Sequence, residues 1–399
     1  MSAGNYTHVT RADGTILTAA IYNTDHINHI INQNPLMTGA YQDTVPQKQI
    51  ITNPGIVGSE VLATSLAGEI EQIRFQLKGI IGGAQWYSAP ATNLQTLSVA
   101  PSGLNKFPAL MPGGRLSLVT NEPSSAGGTT GNILYYTPSE HSFIPLWDGA
   151  QFVVAEFGEV SQPSTDTTKS PAATVANTVY DIFGWKDPVG DVLRVTRGPP
   201  WTSDTARGTA SALVRQQGIW LNNAAITNGP AAQRGTYLGT VRTSATNQFE
   251  ASFGGSGPGG IPGFLLIWNA YNRIRASCKV NNSNQWQPSQ SGVFGIANGG
   301  ANLRINILKG LPMGSVMAYF QASIVPLTDN IAGGFGVAFD NTNAPISSFG
   351  INPHASFHSI TGFGNVPAFP LGLHYFQGVE YSTGPLNLVN GAIGAETDW

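Results

Sequence analysis

Charge is what this chain has least of. Only 10% of its 399 residues are Asp, Glu, Lys or Arg, against roughly 25% in an ordinary soluble domain. The 19 basic and 22 acidic side chains leave a net charge of −3 and form no dense basic cluster. The electrostatic footprint that nucleic acid or an anionic membrane surface requires is therefore missing, and neither partner is expected. Cysteine is nearly absent as well. A single Cys278 excludes an internal disulfide, and the surrounding RIRASCKV places no second ligand or redox partner nearby, so a buried structural thiol is expected. No apolar run reaches the ~18 residues of a membrane span, and MSAGNYTHVT lacks the apolar core of a signal peptide. The expectation is a soluble chain made in the cytoplasm. So little charge at this length suits a large homo-oligomer or an assembled particle, which buries surface that a free monomer would expose.

Catalytic signatures are missing too. There is no phosphate loop, dinucleotide fingerprint, zinc spacing or Gly-x-Ser-x-Gly elbow. His26 and His29, beside Asp25, and His354 and His358 in NPHASFHSITG have spacings that share a face, but they read as hydrogen-bonding side chains rather than metal ligands. Glycoside hydrolysis needs two opposed carboxylates. Residues 279–399 offer Asp329, Asp340, Glu380, Glu396 and Asp398, none in a recognisable pair. No enzyme, no cofactor and no metal are expected.

What the chain does have is turn chemistry, with 48 Gly and 26 Pro. Its length suggests roughly two to three domains, because single cores stop growing near about 250–300 residues. Residues 1–58 read as an extended arm and a short helix in TAAIYNTDHINHIINQNP, capped by Thr18 and ended by Pro35. In SLAGEIEQIRFQLKGIIGG, Ala63, Ile70 and Leu77 take heptad position a, while Leu66, Ile73 and Ile80 take d. This spacing predicts a coiled-coil neck over 59–83, closed by Gly82 and Gly83. Ile at d with Ile and Leu at a points to trimers or tetramers rather than dimers. Fewer than three heptads need partners to stay helical, and the seam alone leaves open an amphipathic helix lying on its own domain.

After a linker over 84–111, the pattern changes to period two. RLSLVT, NILYYTP, TVYDIFGWKD and GDVLRVTRG read as strands, and LWDGAQFVV as a hairpin turning at Asp148-Gly149. The run SQPSTDTTKSPAATVAN over 161–177 reads as a solvated loop, and the Gly-rich stretch over 254–263 as a flexible joint. A β domain is expected over 112–278 and a C-terminal β-sandwich or jelly roll over 279–399. The fold class is mainly β after a helical neck. Aromatics crowd the last domain, and most belong to its core. Trp286, His374, Tyr375, Phe376 and Tyr381 are the candidates for exposed contact with sugar rings, chiefly through LGLHYFQGVEYSTG.

Two runs, ILTAAIYNTDHINHIINQNP and NPGIVGSEVLATSLAGEIEQIRFQLKGIIGGAQWY, resemble the N-terminal module of tailed-phage tail fibres and related virion proteins. GGRLSL, LYYTP, LWDGAQF, VYDIFGW, WTSDTARGTA, QQGIWL, YLGTVRT and LIWNAYNR are similar, in the same order, to the β module that often follows it. The resemblance covers about residues 10–275 and is most specific in the helix, YLGTVRT and WNAYNR. It departs at the 161–177 loop and the Gly-rich insertion, and residues 279–399 correspond only to a variable tip. The resemblance implies a trimeric fibrous virion component with no catalytic residues. It would be held to other virion proteins by its N-terminal region and would touch a host-surface glycan with its tip. A head-attached fibre or spike and a minor baseplate component are the alternatives, and a capsule depolymerase is a further one.

Overall fold

In the computed structural model, the described residues are 111–124, 129–288, 292–312, 314–327, 331–351 and 358–399. The arm, the heptad neck with its seam from Ala63 to Ile80, and all but the last linker residue lie outside them. The described chain is mainly β.

The first fifteen strands run β1 Gly114–Ser117, β2 Thr129–Gly131, β3 Ile133–Pro138, β4 Phe143–Trp147, β5 Phe152–Glu156, β6 Val160–Pro163, β7 Val179–Asp187, β8 Val192–Pro200, β9 Leu213–Gln216, β10 Ile219–Asn222, β11 Thr236–Ala245, β12 Gln248–Ser252, β13 Ser256–Gly257, β14 Gly263–Leu265 and β15 Ile267–Asn269. The Asp148-Gly149 hairpin forms as the sequence predicts: β4 pairs β5 in register from Phe143↔Glu156 to Trp147↔Phe152. Gly149 adopts φ +105°, and the Asp148 carboxylate accepts the Ala150 and Gln151 amides at 2.8 and 2.9 Å, an Asx-type turn. Strand β11 is the hub, pairing with β7, β10, β12 and β15. At Gly239 a Cβ would lie 2.2 Å from the Trp268 carbonyl oxygen, so only glycine lets β11 and β15 approach this closely.

The remaining strands are β16 Arg275–Asn282, β17 Gly295–Ile296, β18 Arg304–Lys309, β19 Val316–Pro326, β20 Gly333–Phe339, β21 Pro345–Ile351, β22 His358–Val366, β23 Gly372–Ser382 and β24 Leu386–Asp398. They build two facing sheets. One continues from β12 and β14 through β18, β23 and β20 to β21, and the other runs β13-β16-β24-β19-β22. Between them, Phe320 and Phe335 meet edge to face at 5.8 Å and 89°, and Cys278, Val280, Ile305, Val337 and Ile393 are buried around them. This is the sandwich expected of the C-terminal residues. The expected boundary at 278/279 falls inside β16, and β14 pairs in parallel with β18 from Gly263↔Ile305 to Leu265↔Ile307, so strands from both sides share one sheet.

Two loop expectations are corrected. The 161–177 segment is not simply solvated, because the Arg197 side chain, 1% exposed, gathers it. Its guanidinium donates to the carbonyls of Asp166 and Ala172, both at 2.8 Å, and to that of Pro163. The Gly-rich 254–263 stretch is a packing device rather than a loose joint. A Cβ at Gly263 would lie 2.2 Å from the Cys278 sulfur, and one at Gly254 would lie 2.5 Å from the Lys279 carbonyl oxygen.

Candidate functional site

Strand β23 carries most of the sugar-contact candidates, and its alternation sorts them. Even-numbered residues face the sandwich interior. His374 stacks on Phe339 at 5.5 Å and meets Phe369 edge-on at 5.5 Å. Its Nδ1 faces the Asp340 carboxylate and its Nε2 faces the Leu371 carbonyl at 3.0 Å. Burial opposes a charge on this imidazole, but Asp340 and the Leu371 carbonyl outweigh it and hold its pKa above the usual histidine value. Phe376 is wholly buried against Phe339 at 5.3 Å and Phe369 at 6.1 Å. Trp286, 8% exposed, donates its indole N–H to Glu380 Oε2 at 2.8 Å, and its ring occupies the space where a Cβ of Gly391 would stand. Trp286, His374 and Phe376 are therefore interior side chains, not contact residues: a charge-poor sandwich fills its core with rings. Tyr375 and Tyr381 keep partial exposure. The Arg304 guanidinium lies 4.0 Å above the Tyr375 ring, and Tyr381 meets Phe294 at 4.8 Å.

Glu380, 3% exposed, is a buried acid held by two donors, the Trp286 indole and the Asn298 amide at 2.9 Å. Burial pushes its pKa up to about 7, and the two hydrogen bonds oppose the rise.

The anchors of the phage-fibre resemblance converge in the interior. Arg207 of WTSDTARGTA grips Asp181 of VYDIFGW at 2.6 and 2.8 Å and donates to the Gly310 carbonyl at 2.7 Å. Thr240 of YLGTVRT donates to Asp181 at 2.7 Å and shares a 2.5 Å hydrogen bond with the Tyr237 hydroxyl. The Trp201 ring covers the guanidinium at 4.3 Å. Burial works against the Arg207 charge, yet Asp181 raises its pKa, while burial pushes the Tyr237 phenol far above its ordinary range. The groups are internally paired and hold β7, β11 and the chain around Gly310 together.

A second junction joins GGRLSL to LIWNAYNR. Asn269 accepts the Leu116 amide at 2.6 Å, and Asn272 donates to the Pro112 carbonyl at 2.6 Å. The buried Arg115 reaches the Trp399 carbonyl at 3.2 Å.

Two exposed apolar side chains, Met317 and Phe363, share the outward face of the β16-β24-β19-β22 sheet. Strand register sets Lys279, Gly394, Tyr319 and Phe363 in one row and Ser277, Glu396, Met317 and Asn365 in the next. Met317 is 50% and Phe363 59% exposed. The alternation in VMAYFQAS, with Val316, Ala318 and Phe320 inward, is the sequence signal that places Met317 and Tyr319 outward. Phe363 sits between two glycines in TGFGN and has no such pattern. Among the described residues, no group of three or more His, Cys, Asp or Glu side chains could hold a metal. His354 lies outside the described residues, as do His26 and His29.

No family model matches the chain, and no curated protein does. Among solved structures, the infectious bursal disease virus VP2 subviral particle is similar at 8% identity over 73% of this chain and 74% of that one, with a TM-score of 0.26. The structure of infectious bursal disease virus Gx strain follows at 9% identity, covering 72% and 74%, with a TM-score of 0.24. A Bacillus thuringiensis Cry1Da tryptic core variant reaches 9% identity over 78% of this chain and 56% of that one, with a TM-score of 0.17.

Proposed function

We propose that this chain is a structural protein of a tailed-phage particle: a trimeric tail fibre held by its N-terminal region that meets the host surface with its C-terminal sandwich. The observation that carries the reading is the convergence of the resembling segments. GGRLSL and LIWNAYNR are more than 140 residues apart in sequence, yet the side chains of Asn269 and Asn272 hydrogen-bond the backbone of GGRLSL at Leu116 and Gly114. VYDIFGW, WTSDTARGTA and YLGTVRT likewise supply successive members of one buried network. Segments that carry the resemblance, though far apart in sequence, are neighbours in one framework, and this supports reading them as parts of one module. The acid and the cation of that network, Asp181 and Arg207, are paired within the framework.

The test is immunogold labelling of intact particles with antibody raised against residues 292–399, coupled to an adsorption assay. Labelling at the tail and reduced adsorption on antibody addition are expected. Labelling on the head would replace the tail fibre with a head fibre, and absence from the particle would end the virion reading.

A further inference from the structure

We propose that the outward face of the five-stranded sheet, centred on Tyr319 and Phe363, is a saccharide-binding platform; this rests on the reading that the C-terminal sandwich meets the host surface. Tyr319 on β19 lies directly between Gly394 on β24 and Phe363 on β22. A Cβ at Gly394 would stand 2.2 Å from Tyr319 Cζ and 2.5 Å from its hydroxyl oxygen. The ring therefore lies across the glycine, against the sheet backbone, instead of standing up from it. Phe363 approaches it at 6.2 Å between centroids with 51° between planes, so the two rings make a shallow, open trough.

The surroundings favour a sugar. Met317 extends the apolar floor on one side, and the next positions along the strands are Gln321 and Thr361 on one flank and the exposed Asn365 on the other. Lys279, exposed, stands beyond Gly394 at the phenol end of the row. Neighbouring strands are about 4.8 Å apart, so the amide, hydroxyl and ammonium side chains at these positions, with the Glu396 carboxylate beside Met317, stand one strand or one pleat from the rings on which the C–H face of a pyranose would rest. A second copy of the chain fits less well. Met317 and Phe363 show about half of their side chains and Tyr319 less, so the face offers under about 300 Å² of apolar surface, whereas a stable protein interface buries about 800 Å² per partner. A contact of this size is weak alone and becomes useful when repeated in an oligomer.

The experiment compares the full-length protein with Phe363→Ala and Tyr319→Ala on a printed array of bacterial lipopolysaccharides and capsular polysaccharides, with the oligomeric mass of each measured by light scattering. The wild type is expected to bind at least one saccharide, and each variant to lose tenfold or more on it with unchanged mass. Phe363 is 59% exposed, so its truncation leaves the fold intact even where Tyr319→Ala does not. Undiminished binding by Phe363→Ala would overturn the platform while leaving an adhesive tip in place. A change of mass in that variant would make the face a contact between copies and also overturn it. A wild type that binds no saccharide on the array, yet competes with particles for adsorption, would reject the saccharide and keep the host-contact reading.

Discussion

At the scale of single residues, this charge-poor chain spends several of its few charges indoors. Arg115, Arg197, Lys309, Asp181 and Glu380 are each 3% exposed or less, and each binds backbone carbonyls, a counter-charge or hydrogen-bond donors. Breaking such a pair is costly, because the survivor is left buried and unpaired. Arg207→Met should lower unfolding free energy by about 3–5 kcal/mol, read from the urea midpoint, and pairing it with Asp181→Leu should recover part of the loss. Glu380 gives a second prediction. Burial pushes its pKa up to about 7 in the fold from the ordinary 4.5, so its contribution to stability is fully present below about pH 4.5. It is lost as the pH rises to about 7, because the unfolded chain releases the proton first. At 1.36 kcal/mol per pKa unit the fall is at most about 3 kcal/mol. His374 acts in the same direction, since its raised pKa gives stability below its ordinary value that is lost as the pH climbs through the folded one. Urea titrations at pH 5, 6 and 8 should show stability declining with pH, with a shallower decline in Glu380→Gln. An unchanged slope in that variant would remove Glu380 as the source.

At the scale of elements, close approach decides which side chains are tolerated. Gly310 sits over the buried network, where a Cβ would stand 2.0 Å from the Tyr237 hydroxyl and 2.3 Å from Thr240 Oγ1. Gly310→Ala should destabilise by about 1–3 kcal/mol or more through overpacking, whereas Gly190→Ala, with nothing within 4 Å but a φ of +84°, should show only the smaller backbone penalty of a left-handed turn. Elements were legible in the sequence where local chemistry controls them. The Asp148-Gly149 turn, the strand alternation and the buried Cys278 follow from neighbouring residues alone. The 161–177 segment was not legible, because what organises it is Arg197, which reaches it from β8 and has no local signature. The aromatic candidates misled for a related reason. Trp286, His374 and Phe376 have the composition of a sugar site, but exposure depends on which faces the two sheets turn towards each other, and all three lie between them. The outward face of the five-stranded sheet shows Met317, Tyr319 and Phe363, and the signal available for two of them was the alternation around Phe320.

At the scale of the whole molecule, the proposed fibre joins a heptad seam to a β framework with an adhesive sandwich. The seam predicts that Ile70→Asp with Ile73→Asp converts the proposed trimer to monomers or aggregates, because unpaired carboxylates in an apolar seam cost roughly several kcal/mol per layer. Sedimentation of an intact trimer in that variant would refute the neck. The framework should survive the change, since the buried Asp181–Arg207 network lies within residues 181–310. The most direct test of the account is adsorption competition, in which host cells are preincubated with purified full-length protein before the parent particles are added. Adsorption falling in proportion to bound protein is the predicted result. Undiminished adsorption at saturating protein, with the protein present in the particle, would contradict the claim that its C-terminal sandwich meets the host.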